Sequence, residues 1–282
     1  MIGETGDMKL RIVRIAAAIV LAAVMVATSL GQGRGGGAGR GGALRGTVDH
    51  VTVHGKSLEG NPAGDSADRD VTIYLPPSYM NDPARRYPVI YFLHDYGAKS
   101  DVLIDAIKGV ADKLAGLQGF SEPIVVSPDA SGDWERFIAE DLVAFIDGHY
   151  RTLAKPISRG LAGQSMGGYG ALRISMKRPG VFSSLYVMSA RVDAAMLAMT
   201  EQDSSNLRKW YGLAIDIGTK DASLAENRQL HEAMTRLHIP HRYEEYEGDH
   251  TNALSDRLER TVLPFFSRNL AAPANPTSPG VQ

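Results

Sequence analysis

The segment from Ser158 to Tyr169 reads Ser-Arg-Gly-Leu-Ala-Gly-Gln-Ser-Met-Gly-Gly-Tyr and is the strongest indication of the fold. It places the pattern Gly-x-Ser-x-Gly between a strand-like run and a helix-like run. In such a turn the serine adopts a strained backbone conformation, and the flanking glycines let strand and helix approach closely. Ser165 is therefore the candidate nucleophile, and Gly163 and Gly167 must lack side chains. The bare pattern also occurs by chance in glycine-rich turns, so its context has to support it.

The surrounding sequence alternates between strand-like and helix-like segments. Several strand candidates are continuously apolar, as strands buried on both faces of a sheet should be. This alternation predicts an α/β fold with a mostly parallel central sheet and helices on both faces. The first two strand-like runs, residues 47–57 and 71–75, have no helix between them and predict an antiparallel N-terminal edge. The other strand candidates are residues 89–93, 124–127, 160–163, 185–189, 213–217 and 242–246, and the helix candidates are residues 103–117, 136–149, 166–176, 222–237 and 252–266.

A serine nucleophile in this kind of turn needs an acid and a histidine base, which follow later in the chain on loops after strands. Among the later histidines, only His250 lies in a loop directly after a predicted strand. Asp221 lies in the turn that leaves the strand 213–217, so we predict that it orients His250. Asp216 is the alternative acid, but it falls within that strand, and Asp249 is too near His250 in sequence to be the usual partner.

The strand candidate 89–93 is followed by His94, Asp95 and Tyr96. Enzymes with this turn build an oxyanion hole from the backbone N–H after the nucleophile and an N–H of this loop, so we predict Met166 and Tyr96 as donors. Alternatively, His94 and Asp95 only cap the strand end and interact with each other. The predicted substrate contacts are His94, Asp95, Gln164 and Trp134, the last of which is either an aromatic wall or part of the core.

Four stretches resemble the putative-esterase group of α/β-hydrolases: Leu75 to Tyr79, Tyr87 to Gly97, Ala162 to Leu172 and Gly218 to Asp221. That group includes esterase D (S-formylglutathione hydrolase), feruloyl and acetyl-xylan esterases, enterochelin-esterase-like proteins and the secreted mycolyltransferases. The similarity covers nearly all of residues 46–270. It implies an α/β-hydrolase fold and a catalytic triad of Ser165, Asp221 and His250.

One position departs from the group. Members often have His-Gly where this chain has His94-Asp95, which puts a carboxylate beside the presumed oxyanion hole. A carboxylate opposes developing negative charge unless it is turned away or paired, and losing one oxyanion donor typically costs about two to three powers of ten in rate.

Composition limits the classes of function. A chain of 282 residues with 44% hydrophobic residues can bury a sizeable core. Its formal charge is −2, and no basic cluster follows the N-terminal region, so no nucleic-acid partner is expected. The absence of cysteine excludes disulfides, thiolate catalysis and zinc–thiolate sites. No metal or organic cofactor is expected, because acyl transfer through a serine requires none.

The two ends of the chain differ from the rest. Residues 1–30 are predicted to be a signal peptide, because Lys9, Arg11 and Arg14 precede an apolar run and small residues. A retained anchor is the alternative, although the run is shorter than the ~20 residues of a spanning helix. Residues 31–43 are predicted to be a glycine-rich linker, 44–270 the catalytic domain and 271–282 a disordered tail. We expect a periplasmic or secreted protein without stable membrane insertion after signal cleavage.

The sequence thus predicts an exported serine carboxylic-ester hydrolase that works through an acyl-enzyme on Ser165. The substrate is expected to be a small-molecule or polysaccharide-linked ester, such as a sugar-linked or aryl ester. An acyltransferase of the mycolyltransferase type and a catalytically silent carbohydrate-binding homologue, the latter motivated by Asp95, are the alternatives. Residues 190–211 form either a small cap over Ser165 or an ordinary crossover helix. The oligomeric state is not predicted.

Overall fold

The computed structural model describes residues 45–62, 64–129 and 134–270. The predicted signal peptide, linker and tail lie outside the described residues, as do residues 131–133 just before Trp134. None of the helices in the three ranges is long and apolar enough to cross a membrane.

The described strands form one eight-stranded sheet. They are β1 (Thr47–His54), β2 (Asp68–Leu75), β3 (Val89–Leu93), β4 (Ile124–Pro128), β5 (Arg159–Gln164), β6 (Ser184–Met188), β7 (Gly212–Gly218) and β8 (Arg242–Tyr246). Their order in the sheet is β1-β2-β4-β3-β5-β6-β7-β8. β2 is antiparallel to both β1 and β4, and the remaining pairs are parallel. The predicted sheet with its antiparallel N-terminal edge is confirmed.

Helices connect most of these strands. The α-helices are α1 (Ser78–Asn81), α2 (Ser100–Leu114), α3 (Val143–His149), α4 (Met166–Lys177), α5 (Ala194–Gln202), α6 (Ser204–Leu207), α7 (Leu224–Arg236), α8 (Leu254–Arg257) and α9 (Leu263–Asn269). π-Helical turns at Phe137–Leu142 and Leu258–Val262 lead into α3 and α9, and short 3₁₀ turns lie at Lys56–Leu58 and Pro156–Ser158.

The core lies on both faces of the sheet, because side chains alternate along each strand. In β3, Val89, Tyr91 and Leu93 belong to the cluster that includes α4 and α7, whereas Ile90 and Phe92 belong to the cluster that includes α2 and α9. All five of these residues are fully or almost fully buried. This two-sided burial explains why the strand reads as a continuous apolar run.

Several helices differ from prediction at their starts, including α7, which begins at Leu224 rather than residue 222. α2 begins at Ser100 rather than residue 103, because the Asp129 carboxylate, distant in sequence, accepts the Ser100 N–H at 2.9 Å. The helix then ends before Gly116, whose φ of +80° terminates it. The helical segment predicted from residue 252 begins at Leu254.

The segment of residues 190–211 behaves as a crossover connection. Its helices α5 and α6 pack against α4 and α7. Met196, Thr200 and Leu207 are buried there, and Asn206 donates a hydrogen bond to the Met176 carbonyl at 3.0 Å. The structure therefore favours the crossover alternative over a cap.

Strand order also locates the candidate site. From β3 the chain proceeds to β4 on one side of the sheet, and from β5 it proceeds through β6 to β8 on the other. In open α/β sheets a crevice forms at such a switch point, outside the carboxyl ends of the strands. β3 and β5 are paired there, with Leu93 opposite Gly163.

Candidate active site

Ser165 occupies the turn between β5 and α4 with φ 55° and ψ −115°. This is a strained conformation for a residue with a side chain. A Cβ on Gly163 would lie 2.1 Å from the Gly167 carbonyl oxygen, and one on Gly167 would lie 2.1 Å from the Leu93 carbonyl oxygen. Both glycines are therefore required by the close packing of α4 against β5 and β3, as the sequence predicts.

Ser165, His250 and Asp221 form one hydrogen-bonded chain. His250 Nε2 lies 2.8 Å from Ser165 Oγ, and His250 Nδ1 lies 2.8 Å from Asp221 Oδ2. A carboxylate only accepts hydrogen bonds, so Nδ1 carries the proton and Nε2 is free to accept from the serine hydroxyl. The Asp221 side chain is 1% exposed, whereas that of His250 is 33% exposed. The structure thus brings together the three predicted triad residues in an arrangement that can activate the serine.

The loops that carry Asp221 and His250 are held side by side at the ends of β7 and β8. Thr219 N–H donates to the Tyr246 carbonyl and Lys220 N–H to the Gly248 carbonyl, both at 2.8 Å. A Cβ on Gly218 would lie 2.4 Å from the Gly248 carbonyl oxygen, so this approach requires glycine. Asp221 is fixed further by the Ser223 N–H, which it accepts at 2.9 Å.

The alternative acids have other roles in the structure. Asp216 is buried within β7 and accepts hydrogen bonds from Tyr186 and Arg257. The carboxylate of Asp249 accepts the backbone N–H groups of Thr251 and Asn252, both at 2.9 Å, and so closes the turn around His250. These backbone hydrogen bonds lower the pKa of Asp249, led by the one from Asn252.

The two predicted oxyanion donors differ in availability. Met166 is the first residue of α4, a position where the helix offers no acceptor for its N–H. Tyr96 N–H instead donates to the Asp95 carboxylate at 2.6 Å. The loop is a tight turn in which Ala98 N–H donates to the Asp95 carbonyl at 3.2 Å and Gly97 has φ +74°. One predicted donor is therefore free and the other is occupied.

His94 and Asp95 also contact each other directly. His94 Nδ1 lies 2.8 Å from the Asp95 carbonyl oxygen, and Nε2 lies 3.5 Å from an oxygen of the Asp129 carboxylate. The strand-end interaction considered as an alternative is thus present. Both residues also line a cavity of about 690 Å³ that reaches Met166 and Gly167 beside the nucleophile.

Trp134 forms one wall of this cavity and is also part of the core. Its ring lies against α4, where a Cβ on Gly170 would meet Trp134 Cη2 at 1.5 Å. Gly170 therefore makes room for the indole. The described residues that line the cavity are Asp68, Arg69, Asp70, Leu93, His94, Asp95, Tyr96, Gly97, Ala98, Asp129, Trp134, Met166 and Gly167.

Gln164 does not line the cavity. It is buried, and its amide donates to the His250 carbonyl at 3.4 Å. The structure thus favours a role in holding the backbone of His250 over the predicted substrate contact. Two residues that the sequence did not single out, Tyr246 and Arg257, also lie close to the His250 loop. Tyr246 comes immediately before that loop, but no sequence signal marks Arg257 as buried.

Among the described residues, no group of three or more His, Cys, Asp or Glu side chains is arranged to hold a metal ion. His238 and His241 are close in sequence, but the ring of His241 contacts that of His231. Nε2 of His241 is 2.8 Å from Nδ1 of His231.

The chain is similar to known esterases. Residues 118–254 match the family model described as putative esterase. Esterase Rv1288 of Mycobacterium tuberculosis is 29% identical over 160 residues, which are 51% of this chain and 31% of that protein. The match therefore spans about a third of the length of this curated relative.

Solved structures show the same fold. A ferulic acid esterase superposes with a TM-score of 0.70 at 24% identity, covering 80% of this chain and 99% of that one. S-formylglutathione hydrolase from Staphylococcus aureus superposes with a TM-score of 0.63 at 14% identity, covering 79% of this chain and 98% of that one.

The fold and the Ser165–His250–Asp221 arrangement define the class as α/β-hydrolases with a serine, a histidine and an acid on loops that follow parallel strands. Within that class, the chain is similar to the putative-esterase family over residues 118–254 and to the esterases named above.

Proposed function

We propose that this protein is a serine carboxylic-ester hydrolase that works through an acyl-enzyme on Ser165. The observation that carries the proposal is the hydrogen-bonded chain from Asp221 through His250 to Ser165 Oγ. It supports acyl transfer because the base accepts from the nucleophile while the acid fixes the tautomer of the base.

In the proposed cycle, His250 Nε2 takes the proton of Ser165 as Oγ attacks the ester carbonyl carbon. The oxyanion that forms accepts the Met166 N–H at the start of α4. His250 then gives its proton to the leaving alcohol as the ester C–O bond breaks. Water, deprotonated by His250, attacks the acyl-enzyme and releases the carboxylic acid and free Ser165. Asp221 remains ionised throughout and stabilises the imidazolium.

The substrate in this proposal is a small or polysaccharide-linked ester, such as a sugar-linked or aryl ester. The ring of Trp134 supplies an apolar wall, and the polar rim at Asp70 and Asp129 suits a hydroxylated partner. Export by the predicted N-terminal signal belongs to the same proposal and agrees with a substrate outside the cytoplasm.

A catalytically silent binding homologue is the second candidate, because the Asp95 carboxylate occupies the Tyr96 N–H. Labelling with a serine-directed fluorophosphonate separates the two. The esterase reacts covalently at Ser165, and the Ser165→Ala variant does not. A binding protein takes up ligand while its Ser165 stays unlabelled. Product analysis with added glycerol distinguishes hydrolysis from transfer to an alcohol.

A further inference from the structure

We infer that Tyr246 and Arg257 are positioning residues that hold the peptide bond before His250, and so keep the imidazole between Asp221 and Ser165. The inference rests on the proposed function, because it assigns these residues to the same triad. Neither residue contacts the serine or lines the cavity beside it.

Tyr246 acts on the backbone next to the base. It is the last residue of β8, and its hydroxyl donates to the Asp249 carbonyl at 2.9 Å. That carbonyl belongs to the peptide bond joining Asp249 to His250. Rotation of this peptide would turn the His250 side chain away from Ser165, so the hydroxyl restrains the orientation of the base.

Arg257 fixes the ring of Tyr246. The guanidinium carbon lies 4.4 Å from the centroid of the ring, in cation–π geometry. Arg257 projects from α8, and its side chain is 4% exposed. The contact therefore joins α8 to the end of β8 below the His250 loop.

Asp216 anchors Arg257 to β7, the strand beside β8. Its carboxylate forms an ion pair with the guanidinium and accepts the Tyr186 hydroxyl at 3.0 Å. Burial raises the pKa of Asp216, and Arg257 opposes that rise. The contacts thus run from β7 through α8 and the end of β8 to the Asp249–His250 peptide.

The composition of this network favours positioning over stability. Burying an ion pair costs desolvation that its attraction barely offsets, so apolar residues of similar size would stabilise this position as well or better. A planar guanidinium with fixed donors, however, holds an aromatic ring in one orientation. The ring in turn aims its hydroxyl at the Asp249 carbonyl.

Tyr246→Phe is the variant that tests the inference, because it removes only the hydroxyl and keeps the ring under Arg257. Tyr243→Phe is the matched control: Tyr243 lies on the same strand, and its hydroxyl donates to Glu245 at 3.1 Å, away from the loop. The variant also loses the longer contact of the hydroxyl with Ser189 Oγ, at 3.4 Å. With an aryl acetate, we expect Tyr246→Phe to lower kcat about three- to tenfold, the effect of losing the hydrogen bond to the Asp249 carbonyl. KM and the melting temperature should stay near those of the wild type.

A spectroscopic readout separates positioning from general stability. The proton on His250 Nδ1 should give a low-field NMR resonance that broadens or moves in Tyr246→Phe and is unchanged in Tyr243→Phe. Arg257→Lys keeps the charge beside Asp216 but loses the planar contact with the ring. We expect it to lower kcat and perturb the same resonance.

The outcomes separate this inference from the proposed function. If the wild type shows no Ser165-dependent turnover, the proposed function fails and the inference fails with it. If the wild type is active but Tyr246→Phe retains full kcat and an unchanged resonance, the positioning role alone is overturned. Equal losses in Tyr246→Phe and Tyr243→Phe would also overturn it.

Discussion

In the proposed mechanism, Asp95 limits the number of backbone donors available to an oxyanion at Ser165. Its carboxylate accepts the Tyr96 N–H at 2.6 Å, and Tyr96 as a whole is 86% exposed. The donor and its acceptor are adjacent residues in one tight turn, so the carboxylate competes with any substrate oxygen for the same N–H. Met166 is left as the donor without such a competitor.

Replacing Asp95 with glycine should therefore raise activity. The Asp95→Gly variant frees the Tyr96 N–H and removes a negative charge, and we expect kcat on an aryl acetate to rise by at least about tenfold. Asp95→Asn, which keeps an acceptor oxygen but loses the charge, should give a smaller gain. Steady-state kinetics on the three proteins check this order. A kcat that falls in Asp95→Gly would show that the carboxylate assists the reaction.

At this scale the sequence predicts the triad but not the contacts around it. Ser165, Asp221 and His250 could be found because each follows a strand, and a strand end is visible in the hydropathy pattern. The occupation of the Tyr96 N–H depends on a single side-chain rotation at Asp95, which no pattern encodes. Arg257 was missed for a similar reason, because a buried arginine has the same sequence signature as an exposed one.

Among the structural elements, the close packing of α4 against β3 and β5 sets the position of the nucleophile. Gly167→Ala places a methyl group 2.1 Å from the Leu93 carbonyl oxygen. We expect it to lower the free energy of unfolding by at least about 2 kcal/mol through overpacking, and to reduce turnover because α4 carries Met166. The measurement is urea unfolding together with kcat.

The control for this prediction is Gly109→Ala. Gly109 lies in α2, and a Cβ there meets no atom within 4 Å. Alanine should raise the free energy of unfolding by about 0.5–1 kcal/mol through its helix propensity, with kcat unchanged. If Gly167→Ala and Gly109→Ala have the same effect on the free energy of unfolding and on kcat, the close approach of Gly167 to Leu93 is not the reason for glycine in this turn.

A histidine in α7, His231, and one on the connection from α7 to β8, His241, predict how stability depends on pH. His241 Nδ1 lies 2.7 Å from the Ile239 carbonyl, so Nε2 accepts from His231. Burial, assisted by His231, lowers the pKa of His241 below its ordinary value of 6.5. Below that pH the unfolded chain binds more protons than the folded one, so this site reduces stability as the pH falls.

We therefore expect wild type to lose more free energy of unfolding than His241→Gln between about pH 7.5 and pH 5.5. His54 should affect the pH dependence of the free energy of unfolding in the opposite direction. Its hydrogen bonds with Glu59 and Asp68 raise its pKa, so its contribution is present at low pH and lost as the pH rises through the folded value. His54→Gln should steepen the loss on acidification. If the free energy of unfolding changes with pH in the same way in wild type and His241→Gln, the proposed effect of burying His241 against His231 is wrong.

Among the secondary-structure elements, the strands could be predicted from the sequence, whereas the first and last residues of several helices could not. Residues 89–93 and 242–246 match β3 and β8 in full, because an apolar or alternating run bounded by polar residues has few other interpretations. α2 begins early because Asp129, 29 residues away, accepts its first N–H. Contacts between distant segments of this kind are absent from local sequence patterns.

For the molecule as a whole, net charge conceals a local imbalance. The chain carries a formal charge of only −2, yet the described residues that line the cavity include four aspartates and one guanidinium, that of Arg69. The aspartates are Asp68, Asp70, Asp95 and Asp129. A cavity lined mainly by one sign of charge lowers the local concentration of ligands with the same sign.

Anionic esters should consequently be poor substrates. We expect kcat/KM for a neutral aryl ester to exceed that of a carboxylated analogue severalfold. The difference in kcat/KM between the two esters should become smaller as added salt shortens the screening length, to about 10 Å at 0.1 M. Asp129→Asn should also reduce this difference in kcat/KM. Asp105→Asn should leave it unchanged, because Asp105 lies on the exposed side of α2 and outside the cavity. Equal rates for both esters at low salt would contradict this interpretation.

Hydrolysis of p-nitrophenyl acetate by the wild type and by Ser165→Ala tests whether Ser165 is the nucleophile that becomes acylated. We expect serine-dependent turnover, with a burst of p-nitrophenol if deacylation is slow, and a folded Ser165→Ala variant that shows only the background rate. A folded wild type without turnover, or a Ser165→Ala variant with near-normal turnover, would contradict this assignment.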